Sequence, residues 1–199
     1  MTTIYVGFDT ETTGVQVRKP ENVIMISMVA EKVGGPGDTS NIPVWLLPSY
    51  TVLVDQKRFE GEAFALWLNS WIFSIIADAN KGRPTRYAVL TLKQAMDGAL
   101  EFLKAQAGPG KAIPVGQNVG TFDLLFLTGE VKNYFNRRVL EIGSVFYDPS
   151  TGPRTLSQVK ESLGFDKVVS HNAYHEAMDY ILALRTKHGG DLTPYPKES

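Results

Sequence analysis

A chain of 199 residues, 43% apolar and 21% charged, is long enough for one domain with a full core, residues 1–199. Twenty basic and 21 acidic residues leave a net charge of −1, which excludes a global positive field able to hold long nucleic acid; a polyanion would need a local groove or bound cations. The chain has no cysteine, which excludes disulfides, thiolate metal sites and a cysteine nucleophile and suits a cytoplasmic protein.

Ile4, Val6 and Phe8 predict a short buried strand that ends in Asp9-Thr10-Glu11-Thr12-Thr13-Gly14. Side chains of an extended chain repeat with period two, so the Asp9 and Glu11 carboxylates leave the same side. Like charges held that close repel unless a cation sits between them, and hard carboxylate oxygens suit Mg²⁺ or Mn²⁺. The plainer reading has both acids on a solvated strand end, with Thr12 and Thr13 capping a turn. No basic stretch followed by an apolar core precedes this strand, so no signal peptide is expected.

A polar link with Arg18, Lys19 and Pro20 leads to an expected second strand over 22–33, and Gly34-Gly35-Pro36-Gly37 marks a turn. A third strand is expected over 44–54, interrupted at Pro48, which gives an antiparallel meander. Residues 59–86 form a helical apolar insertion. Phe64, Trp67, Leu68, Trp71 and Ile75 follow helical spacing while Leu66, Ile72, Phe73 and Ile76 cover the other side. Such a helix is either core, or a contact for a homodimer or for a polymerase or helicase partner through 63–77, or an aromatic wedge against a base. With Asn69, Ser70 and Ser74 inside it, the stretch is too short to span a bilayer, and no membrane association is expected.

Thr91-Leu92-Lys93-Gln94 is a capping box that opens a helix to about Gln106 with Leu92, Met96, Leu100 and Leu103 on one face. Gly108-Pro109-Gly110-Lys111 is no phosphate loop, because Ala112 stands where a hydroxyl would be needed to bind magnesium. A strand over 112–117 then hands over, through Asn118 to Asp123, to the apolar run 124–127. This puts Asp123 where open α/β sheets carry chemistry, or gives it the ordinary work of a helix N-cap. A strand over 139–147 follows, then a second capping box at Thr155-Leu156-Ser157-Gln158. The last helix is expected from near Ser170 to Lys187, with small residues Ala173 and Ala177 for close approach to the sheet and His171, His175, Glu176 and Asp179 clustered at its start.

These pieces together resemble the DEDDh 3′→5′ exonucleases of the RNase H-like superfamily. Phe8-Asp9-Thr10-Glu11-Thr12-Thr13-Gly14 matches the first motif. Asn118 through Phe122-Asp123 is similar to the second, with Gln117 where a His is frequent. His171-Asn172-Ala173-Tyr174-His175-Glu176-Ala177 is similar to the third. Glu176 stands in place of the family's fourth Asp; another register pairs His175 with Asp179, one helical turn on.

The resemblance implies an RNase H-like α/β fold whose central mixed five-stranded sheet, antiparallel in front and then parallel, is flanked by helices. It implies two divalent cations, Mg²⁺ or Mn²⁺, on Asp9, Glu11, Asp123 and Glu176 (alternatively Asp179), with Asp9 bridging the pair. It also implies His171 as general base and a single-stranded 3′ end seated on Thr12, Thr13, Gly14, Asn118 and Phe122. Within the family the chain looks most like oligoribonucleases. A proofreading module that needs a partner, or a nucleic-acid binder whose metal site has decayed, are the alternatives.

Overall fold

The computed structural model describes residues 2–15, 20–56 and 58–196; Arg18 and Lys19 of the expected polar link lie outside them. Six strands form one mixed sheet in the order β4-β3-β2-β1-β5-β6. β1 (Thr3–Thr12), β2 (Val23–Val33) and β3 (Ser49–Asp55) form the antiparallel meander. The expected strand from 44 is shorter. Val44–Leu46 is a 3₁₀ turn, and the chain enters the sheet only after Pro48, whose carbonyl accepts from Ala30 N at 2.9 Å.

Two helices come next, α1 (Ala63–Leu68) and α2 (Ser70–Asn80), broken at Asn69. This corrects the single all-round apolar helix. α2 buries Ile72 and Ile76 among Ile24, Met25 and Leu53, whereas Phe64 and Trp67 of α1 are each 70% exposed. The sheet also has six strands rather than five: β4 (Ala88–Thr91) pairs parallel with β3 just before α3 (Leu92–Ala107). Four partly exposed residues carry too little alternation to announce a strand. The Thr91 capping box is formed as expected.

β5 (Ile113–Gly116) pairs parallel with β1. The apolar run after it closes into a 3₁₀ turn over Asp123–Phe126, with Phe122 and not Asp123 at its cap. Then come α4 (Gly129–Lys132), β6 (Leu140–Glu141) and α5 (Ile142–Val145). The strand expected over 139–147 is therefore two residues long, and its remainder turns helical. α6 (Leu156–Ser162) starts on the second capping box, and α7 (Ala173–His188) begins three residues later than its sequence suggested, capped by Asn172 Oδ1 accepting from Tyr174 N at 3.0 Å.

The two faces of β1 have different tasks. Val6 and Phe8 point into the larger core with Ala95, Ala99 and Leu103 of α3. The opposite face receives α7, and Gly7 makes that approach possible: a Cβ there would lie 2.1 Å from the Ala177 carbonyl oxygen. Ala173 and Ala177 are fully buried in the contact. Farther along α7 the buried Arg185 pairs with the buried Glu31 of β2, which fixes how the helix lies on the sheet. Among the described residues no helix is long and apolar enough to cross a membrane.

Candidate active site

The C-terminal ends of the parallel neighbours β1 and β5 and the N-terminal end of α7 meet around one cleft of about 290 Å³. Asp9, Glu11, Asn118, Phe122, Asp123, His171 and Glu176 all line it. Carboxylate oxygens of Asp9, Glu11 and Glu176 lie within 4.8 Å of one another. Asp9 and Glu11 share this side because they are two apart on β1. Glu176 joins them because α7 is drawn onto Gly7.

Asp123 is held from the intervening residue: its Oδ1 accepts from Thr10 N at 2.9 Å and from Thr10 Oγ1 at 2.7 Å. Its carboxylate thus bonds to β1 instead of capping its own turn. The Tyr180 hydroxyl, one turn beyond Glu176, donates to Asp9 Oδ1 at 3.0 Å and lies 3.5 Å from Glu176 Oε2. Asn69 Nδ2 donates to the Thr12 carbonyl at 3.1 Å, beside Glu11. Thr10, Asn69 and Tyr180 all escaped the sequence reading. Asn69 left one trace, a polar residue inside an apolar run.

Burial and mutual repulsion disfavour the charged forms of these acids. Asp9 is pushed well above the usual carboxylate range, first by burial and then by Asp123, Glu176 and Glu11, against the Tyr180 hydrogen bond. Glu11 is raised to about 8 by burial and by Glu176 and Asp123, with Asn69 opposing. Asp123 is raised to about 7, chiefly by burial, with both Thr10 bonds opposing. Glu176 is raised to about 7 by burial and by Asp179; Tyr180, Lys160 and the His171 backbone N–H oppose. Crowded, half-dehydrated carboxylates offering oxygen donors alone form the ligand set of a hard divalent cation, and the residues present fit one.

His171 and Asn118 are the non-glycine residues with positive φ among the described residues, at 47° and 59°, and both line the cleft. Left-handed backbone is uncommon outside glycine and gathers where a site holds it. Gln117 also lines the cleft, its Oε1 accepting from Leu156 N at the start of α6. Thr12, Thr13 and Gly14 are buried and do not line the cleft. Gly61 and Glu62 lie over them, with Glu62 N donating to Thr13 O at 2.8 Å.

The alternative pair has other partners. Asp179 accepts from Lys160 Nζ at 2.6 Å and from the Tyr195 hydroxyl at 3.2 Å, and His175 stacks on Tyr195 at 5.2 Å between centroids. Of the suggested stacking aromatics, Trp67 is exposed on α1 and Trp71 packs against Tyr87. Tyr174 is half-buried on α7, and none of the three lines this cleft.

A mixed sheet flanked by helices, with an acidic cleft at the ends of its central strands, is the RNase H-like fold, and solved nucleases share it. Cell-death related nuclease 4 superposes with a TM-score of 0.53 at 13% identity over 95% of this chain and 64% of its own. E. coli exonuclease I, in complex with a dA16 oligonucleotide, superposes with a TM-score of 0.53 at 11% identity over 94% of this chain and 41% of its own. The chain thus spans less than two thirds of either nuclease. No family model and no curated protein sequence matches it.

Proposed function

We propose that the chain is a metal-dependent 3′→5′ exonuclease of DEDDh type that hydrolyses single-stranded RNA or DNA, short oligonucleotides included, to nucleoside 5′-monophosphates. The observation that carries this reading is the convergence of Asp9, Glu11 and Glu176 within 4.8 Å beside Asp123 and His171 in one cleft. The fold shared with two nucleases supports it, and the oligonucleotide on exonuclease I supports a single strand as substrate.

Asp9, Glu11 and Glu176 would hold one Mg²⁺ or Mn²⁺, and Asp123, with Asp9, a second. Such a pair supplies Lewis-acid stabilisation of the charge that builds on the phosphoryl and leaving 3′ oxygens. His171 stands on the exposed edge of the cleft and takes the proton of the attacking water. A water–phosphorus bond forms as the phosphorus–O3′ bond breaks. Asn118 and Phe122 offer a polar edge and a ring to the terminal sugar and base. Thr12, Thr13 and Gly14 stiffen the strand end behind them. Asp179 serves the fold through Lys160.

A partner-dependent version of the same activity draws on one observation: Phe64 and Trp67 lie side by side, ring centroids 6.0 Å apart, on the exposed face of α1. Cleavage of 5′-labelled single strands, short and long, RNA and DNA, tests the main reading. A one-nucleotide ladder that requires Mg²⁺ or Mn²⁺ and vanishes in Asp9→Ala is expected. Internal cuts alone, or no cleavage with either metal, would overturn it.

A further inference from the structure

We propose that the cavity sharing the turn into α7 with the acidic cleft is a subsite for the nucleotide that precedes the 3′-terminal one, its base stacked on Trp71 and its phosphate beside Arg86. The inference rests on reading the acidic cleft as a nuclease site.

Residues 170–176 stand between two cavities. His171 and Glu176 line the acidic cleft, whereas their chain neighbours Ser170, Asn172 and His175 line a second cavity of about 490 Å³. The left-handed backbone of His171, φ 47°, lies at this turn, where consecutive side chains enter different cavities. The rest of the second cavity comes from the 59–86 segment and Tyr87: Trp71 and Ile75 on α2, then Arg86 and Tyr87 just ahead of β4.

Its surfaces are fixed by contacts among themselves. Asn172 caps α7 through Oδ1, and its Nδ2 donates to the Tyr87 hydroxyl at 3.3 Å. The Tyr87 ring lies 6.4 Å from that of Trp71, tilted by 58°, and the Arg86 guanidinium is 5.1 Å from the Tyr87 ring centroid. His175 stacks on Tyr195. Trp71 is half-buried, and Arg86 and Ser170 are exposed at the rim.

A nucleotide asks for this combination: a planar apolar face for its base, a cation for its phosphate, and a few polar groups for its edges. The acidic cleft lacks the second of these, since among the described residues no lysine or arginine lines it. At a net charge of −1 the chain can hold a strand only through such local cations. The terminal sugar and base take Asn118 and Phe122 at the β5 side, which leaves the α7 wall to the nucleotide before them. The other cavity adjoining the cleft shares Gln117, Asn118 and Thr155 with it, but it offers no aromatic face and adds the carboxylate of Glu141.

Two substrates separate the subsite from the cleft. Thymidine 5′-(p-nitrophenyl phosphate) supplies a terminal nucleotide with none before it, and pentathymidylate supplies both. Hydrolysis of each with Mn²⁺ gives a quotient of kcat/KM values, pentamer over ester. Trp71→Ala is expected to lower this quotient about tenfold, through KM for the pentamer. A quotient equal to that of wild type would overturn the inference, because damage to the fold or to the metal centre slows both substrates alike. If Trp71→Ala does not fold, Arg86→Ala, a change on the exposed rim, is judged under the same criterion. Wild type that hydrolyses neither substrate with Mn²⁺ would overturn the nuclease reading itself, a separate outcome from a variant that keeps the wild-type quotient.

Discussion

Tyr180, 171 positions along the chain from Asp9, donates its hydroxyl to Asp9 Oδ1 at 3.0 Å and so joins α7 to the centre of the sheet. Burial and the surrounding acids hold the phenol well above its ordinary pKa, which keeps it a neutral donor. Such a partner orients a ligating carboxylate, and removing it typically costs about 10- to 100-fold in metal affinity or activity. Tyr180→Phe keeps the ring in place and is expected to lower cleavage by an amount in that range, with a melting temperature in EDTA within a few degrees of wild type. Single-turnover rates on a short single strand, measured across Mn²⁺ concentrations, check this.

Stability of the metal-free protein should fall as pH rises. Asp9, Glu11, Asp123 and Glu176 all have folded-state pKa values above their ordinary ones, Glu11 at about 8 and Asp123 and Glu176 at about 7. Between the ordinary carboxylate range and these values these four acids bind more protons in the folded state than in the unfolded state, so the stability they contribute is fullest below about pH 4 and is lost toward about pH 8. Melting in EDTA from pH 5.5 to 8.5 is expected to drop by about 5 °C or more. Mn²⁺ displaces the same protons, so the rise in melting temperature that it produces should grow over that interval.

Glu176 and Asp179, three residues apart on α7, should fail in different ways. Loss of a ligand forfeits several kcal/mol of charge stabilisation, so Glu176→Ala is expected to reduce cleavage by about a hundredfold or more while relieving repulsion in the metal-free protein. Asp179→Ala leaves the buried Lys160 ammonium without its carboxylate. It should destabilise the fold by about 3 kcal/mol, or about 10 °C, with cleavage largely retained at low temperature. Melting curves and ladder assays on the two variants together separate the roles. Cleavage abolished only in Asp179→Ala would reverse the assignment.

The parts of the site readable from the sequence were those with a local rule behind them. Asp9 and Glu11 share a side because strands have period two, both capping boxes are spelled out in four residues, and Ala173 and Ala177 announced a close helix contact. What local pattern could not supply came from distant chain. Tyr180 reads as one more core aromatic between Ala177 and Ile181 until β1 is laid beside it. Asp123 reads from local pattern either as a residue of a chemistry-bearing strand end or as an N-cap, and the cap falls to Phe122 while Asp123 bonds Thr10. The short strands β4 and β6, four and two residues long, lack the length that alternation needs. Asn69 breaks the apolar stretch because its side chain is drawn to the Thr12 carbonyl, a demand set outside the helix itself.

The most direct measurement is anomalous diffraction at the manganese edge from crystals grown with Mn²⁺ near pH 8. The account predicts a peak within ligand distance of Asp9, Glu11 and Glu176 carboxylate oxygens, lost in Asp9→Ala crystals. Strong manganese peaks confined to other surfaces, with these three side chains unmoved and unbound at saturating Mn²⁺, would contradict it.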